Sequence, residues 1–102
     1  MPNYMNILGY HIFFWSNEGE PLEPVHVHVS KNVSSNSTKI WICSDGNIEV
    51  TNNNSNIPDS DFKKIKKTIS QYADDIVNKW SSYFKQEPDF FDLEQGNQRD
   101  DL

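Results

Sequence analysis

The sequence predicts an α+β domain: a small, mostly antiparallel sheet of about four strands, with one long C-terminal helix packed on one face. Three observations predict it. The first half holds short runs rich in β-branched and aromatic residues. Clusters of Gly, Pro, Asn and Ser separate those runs and read as turns. The last third carries an apolar stripe at three- and four-residue steps, the period of a helix.

The elements follow in order. ILGYHIFFW, residues 7–15, is β-branched and aromatic and reads as the first strand. SNEGEPLEP is dense in turn formers and charge, and reads as a loop. VHVHV, residues 25–29, alternates with period two and is the second strand. KNVSSNS is a polar connection, and TKIWIC is the third strand. SDG is a hairpin signal, because Asp-Gly accepts the positive φ of a tight turn. NIEVT returns as the fourth strand.

NNNSN is polar and of low complexity, and leads into the helix. Asp59 or Ser60 is the expected N-cap, since each offers a side-chain oxygen to free backbone N–H groups. Phe62, Ile65, Ile69, Tyr72, Ala73, Ile76, Trp80 and Phe84 then form one stripe on one helix. About 26 residues at 1.5 Å each give roughly 39 Å. Pro88 and an acidic tail stop it.

The chain has 102 residues, the size of one small domain. Apolar residues make up 35% and aromatics 13%, so the core rests on a few large rings. Net charge is −6, but residues 86–102 hold six acids and one arginine, leaving the rest near neutral. Residues 1–85 are therefore read as a single α+β domain and 86–102 as an acidic, flexible tail. An acidic total set by the tail does not exclude an anionic ligand on the body. Cys43 is the one cysteine, so no internal disulfide forms, as suits a reducing compartment. The N-terminus has no signal-peptide pattern, and no run approaches the roughly 18–20 apolar residues that span a bilayer. The expectation is a soluble, cytoplasmic protein with no membrane contact.

Strand side chains alternate faces. Val25, Val27 and Val29 share one face with Ile12, Phe14, Ile40, Ile42, Ile48 and Val50, and that face meets the helix. The other collects His11, Phe13, Trp15, His26, His28, Trp41, Cys43 and Glu49. So much aromatic surface on one sheet face points to a partner or ligand.

Three chemistries fit this face. His26 and His28 lie two residues apart, about 6.6 Å along a strand, so both rings can reach one divalent metal. Otherwise no cofactor is expected. A histidine can also act as general acid or base. HVHVS resembles the alternating histidines of histidine-triad nucleotide hydrolases, but Ser30 stands at the third position. HVS matches one His-x-Ser motif of the two-histidine phosphoesterases, and the second is absent. Aromatic and histidine rings can also stack bases. Lys63, Lys64, Lys66 and Lys67 form a basic patch near the helix start, a nucleic-acid candidate weighed against an ordinary solvated face.

GYHIFFWSNEG, EPVHVHV, KIWI and NKWSSYF together resemble an uncharacterised bacterial family, domain of unknown function 4160. The resemblance covers about residues 5–85, and FWSNEG (14–19) and PVHVHV (24–29) carry it most specifically. It implies that Ser16, Asn17, Glu18, His26 and His28 are the polar features of a site. It also implies a small protein that sits beside toxin–antitoxin or defence components and binds a partner. The EGEPLEP loop and the acidic tail depart from the family pattern.

The expectation is therefore a toxin–antitoxin or defence-associated binding module in preference to an enzyme, with catalysis left open. It works through Trp15, Ser16, Asn17, Trp41 and His11 toward a small protein partner or in a homodimer. One alternative is a phosphodiesterase or ribonuclease, metal-dependent or not, using His26 and His28 with Glu18 assisting. A second is a protein that sequesters a nucleotide. Phe90, Phe91 and Leu93 give the tail the means to dock on a partner.

Overall fold

Leu8 and Gly9 both carry positive φ, 53° and 81°. A two-residue turn of that kind matches the twist of a β-hairpin. It splits the run predicted as one strand from residue 7 to 15. The structure, a computed structural model, describes residues 3–15, 23–32 and 36–93. Among these, five strands form one sheet in the order β1 (Asn3–Ile7), β2 (Tyr10–Phe13), β3 (His26–Ser30), β4 (Thr38–Ile42) and β5 (Ile48–Val50). Every neighbouring pair is antiparallel.

The α+β class and the antiparallel sheet stand, but there are five strands rather than four. The added one is β1. Asn3 and Asn6 interrupt its apolar pattern, and its pairing with β2 slips between Asn3 and Met5. Tyr4, Met5 and Ile7 nevertheless pack against the core, and the Tyr4 hydroxyl donates to Asp75 Oδ2 at 2.6 Å. Burial and that carboxylate push the Tyr4 phenol well above its ordinary pKa.

Two helices, α1 (Asp59–Gln71) and α2 (Ala73–Phe84), replace the single predicted one. Tyr72 separates them with φ −103° and ψ 17°. The hydrogen bonds run on through the joint: the Tyr72 N–H donates to Thr68 O at 3.1 Å, and the Ile76 N–H to Tyr72 O at 2.9 Å. One turn earlier the Thr68 hydroxyl donates to Lys64 O at 3.0 Å, a back-bond that bends helices. Tyr72 is 46% exposed, so it stands outside the stripe where the sequence places it. The N-cap is Pro58, with no side-chain cap bond. Asp59 and Asp61 instead lie within the first turn, where their charge favours the helix dipole.

The stripe buries Phe62, Ile65, Ile69, Ala73, Ile76 and Trp80. Against it lie Ile12, Phe14, Val25, Val27, Val29, Ile40 and Ile42 of the sheet side. Each fully buried Ile or Val contributes about 1.5–3 kcal/mol. The polar loop before α1 is ordered by its own amide. The Asn53 side chain accepts from the Ile57 N–H and the Thr38 hydroxyl, and its amide donates to Ile57 O. That bridge pins the buried Ile57 against the core.

Lys85 ends α2 in the left-handed conformation, φ 57° and ψ 44°. The chain reverses there and returns to the sheet. The Val25 N–H donates to Asp89 O at 2.8 Å. No helix among the described residues is long and apolar enough to cross a membrane.

Candidate functional site

Strand alternation and register build the site on the sheet face away from the helices. Phe13 pairs with His28, and His28 with Lys39. One row further, His26 pairs with Trp41, and Trp41 with Glu49. His11 sits opposite Ser30, toward the β1 side, and its Nδ1 lies 2.7 Å from Asn6 Oδ1.

His26 is 3% exposed. Its Nδ1–H donates to Pro24 O at 2.7 Å, which fixes the ring and makes Nε2 the acceptor nitrogen of the neutral imidazole. The ring stands edge-on to Trp41, centroids 5.3 Å apart, and to His28 at 4.9 Å. His28 is half-buried. Its Nδ1 lies 2.9 Å from the hydroxyl of the buried Ser37, and its ring stacks on Phe13 at 5.6 Å and 26°. Trp15, also half-buried, tilts toward His28 at 6.0 Å.

The expected open aromatic face is largely closed. Phe13 is fully buried and Trp41 is 9% exposed. Phe91 lies parallel over Trp41, centroids 4.9 Å apart and planes 3° apart. The Lys39 ammonium sits 4.3 Å from the Trp41 ring centre and pairs with Glu23. Beside them the Asp92 carboxylate accepts from the Ser44 N–H at 3.0 Å and the Ser44 hydroxyl at 2.6 Å. Those bonds hold Asp92 below the usual carboxylate range. Cys43 is half-buried, and burial, with Asp92, Glu49 and Asp45 nearby, pushes its thiol up. It is held as a thiol and is a poor nucleophile.

Register and packing bring Trp15, His26, His28 and Trp41 together, with His11 on the same face. Ser16, Asn17 and Glu18 lie outside the described residues. Among the described residues, no group of three or more His, Cys, Asp or Glu side chains could hold a metal ion. His26 and His28 would supply two of the four ligands that zinc takes. Lys63, Lys64, Lys66 and Lys67 are all exposed on α1. That helix packs on the opposite sheet face through Phe62, Ile65 and Ile69, so the basic patch and the histidines are two separate surfaces.

Sequence reasoning did not assign roles to Ser37, Ser44 or the Pro24 carbonyl. Each acts through a long-range or backbone contact that leaves no periodic trace. Lys39 had a signal, since it shares a face with Trp41 by alternation.

A family model described as Domain of unknown function (DUF4160) matches residues 9–81. The match takes in β2 to β5, α1 and most of α2. It includes Trp15, His26, His28, Lys39 and Trp41, and stops before Phe91. No curated protein and no solved structure matches the chain.

Proposed function

Because this chain belongs to the family described as Domain of unknown function (DUF4160), we propose its role from its own surface. It is a small cytoplasmic binding module of toxin–antitoxin or defence type, which engages a small protein partner through the histidine–aromatic sheet face and the adjoining loop. The observation that carries this reading is the supported pair of half-buried rings. His28 and Trp15 present partial surface, while Phe13 and His26 back His28 from within. Lys39 and Glu23 stand nearby as a charged rim. Rigid aromatic anchors inside a polar rim are the anatomy of protein interfaces, and such anchors bind at low entropic cost.

The test uses the chain co-produced with the protein encoded beside it. Trp15→Ala lowers the affinity of the complex at least about tenfold while the fold survives. Unchanged affinity in the folded variant sinks the reading. If the partner is a second copy, the same variant converts a dimer to a monomer.

A second reading has its own support. Nδ1 of His26 donates to Pro24 O and Nδ1 of His28 lies beside Ser37 Oγ, so both rings are fixed through one nitrogen. Fixed rings 4.9 Å apart suit proton transfer in phosphodiester cleavage, with or without a divalent metal. Turnover of RNA or a cyclic nucleotide that vanishes in His28→Ala supports it. A blank substrate panel, with and without divalent ions, counts against it.

A further inference from the structure

We propose that the surface around Trp41 is a docking site for an acidic, aromatic peptide segment of a partner, and that Asp89–Phe90–Phe91–Asp92 of this chain occupies it in cis. The proposal rests on the binding-module reading and names the chemistry of the partner.

Three kinds of contact hold the segment. The Val25 N–H donates to Asp89 O at 2.8 Å, a main-chain bond just ahead of the helical turn at residues 91–93, where the Leu93 N–H donates to Phe90 O at 3.1 Å. Two rings anchor the middle. Phe91 lies flat on Trp41 at 4.9 Å, with Lys39 at 4.3 Å from the same indole. Phe90 lines a cleft of about 290 Å³ with Ile42, Cys43, Ala73 and Val77. A carboxylate closes the contact, since Asp92 takes both the N–H and the hydroxyl of Ser44. The site thus reads an acid, two aromatic rings and a main-chain carbonyl.

The segment joins the domain it covers through a chain reversal. It follows a left-handed residue, Lys85, and Pro88, and among the described residues one main-chain bond joins Asp89 to Val25, just ahead of β3. The receptor residues Val25, Lys39, Trp41, Ile42 and Ser44 all fall within the family match at 9–81, and residues 89–92 fall outside it. A surface of the shared domain is therefore covered by a segment beyond the match. Removing that cover uncovers the Trp41 ring together with the Val25 N–H and the two Ser44 donors.

Amide hydrogen exchange on the full chain tests this, with the free peptide QEPDFFDLE as probe. In the wild type the Val25 amide exchanges at least about a hundredfold faster than the most protected amides of β3 and β4, because the segment opens without global unfolding. In the full-length Phe91→Ala chain it exchanges about tenfold faster again, and added peptide restores the protection. The peptide with both phenylalanines changed to alanine does not. A wild-type Val25 amide that exchanges only with global unfolding overturns the proposal, as does a Phe91→Ala chain that fails to fold. So does a folded variant that the peptide leaves unprotected. Partner capture that still depends on Trp15 while the peptide fails sinks the docking site alone and leaves the binding module standing.

Discussion

Phe91 lies parallel to Trp41, ring centroids 4.9 Å apart and planes within 3°. One ring comes from β4 at the middle of the chain, the other from beyond α2. The contact shields Trp41, and Trp41 in turn packs on the edge of His26. Phe91, Trp41 and His26 thus form one continuous run of ring contacts.

Phe91→Ala removes a half-buried ring and a stacked pair. It destabilises the fold by about 1–2 kcal/mol. Trp80→Ala, in the helix stripe and 1% exposed, costs about 3–5 kcal/mol. Urea unfolding of the two variants gives the ranking. Equal losses would mean that the returning segment is as integral to the core as α2.

Asn53→Ala leaves the Ile57 N–H without its side-chain acceptor and Thr38 with one partner fewer. Thr38 is fully buried. The expected loss is about 1–3 kcal/mol, measured by thermal or urea unfolding. A loss within about 0.5 kcal/mol, as for an ordinary surface substitution, would contradict the role given to this amide.

Alkaline pH should weaken the tie between β1 and α2. The folded-state pKa of Tyr4 is raised by burial and by Asp75. The stabilisation is therefore complete below the ordinary tyrosine pKa of about 10 and is lost as pH rises through the folded value. Asp75→Asn brings the tyrosinate absorbance titration of Tyr4 down toward that ordinary value. A titration that stays put would show that Asp75 does not hold the phenol.

Asp92 behaves in the opposite sense. Its folded pKa is lowered by the bonds from Ser44. Its contribution is present above the ordinary aspartate value of about 3.9 and fades as pH falls through the folded value. Protection of the Val25 amide should fall over the same acid range in the wild type and lose that pH dependence in Asp92→Asn.

The faces of the central strands were legible because VHVHV alternates strictly, and a period of two then sets Ile40 and Ile42 of TKIWI on the opposite face from Lys39 and Trp41. β1 was not, since Asn3 and Asn6 break its pattern and its pairing needs a positive φ at Leu8, which a leucine does not announce. The joint at Tyr72 was hidden because Ile69, Ala73 and Ile76 keep the helical step straight across it. The covering of Trp41 was hidden for another reason: one ring on one ring, 50 positions apart in sequence, leaves no periodic mark. The expectation of an exposed aromatic face failed on that contact.

The most direct test of the central claim is native mass spectrometry on the full chain, purified without chelators and co-produced with its encoded neighbour. The wild type should appear as a complex of defined stoichiometry, and Trp15→Ala as a folded, separate chain. A complex that persists unchanged in folded Trp15→Ala would contradict the claim that the histidine–aromatic face does the binding.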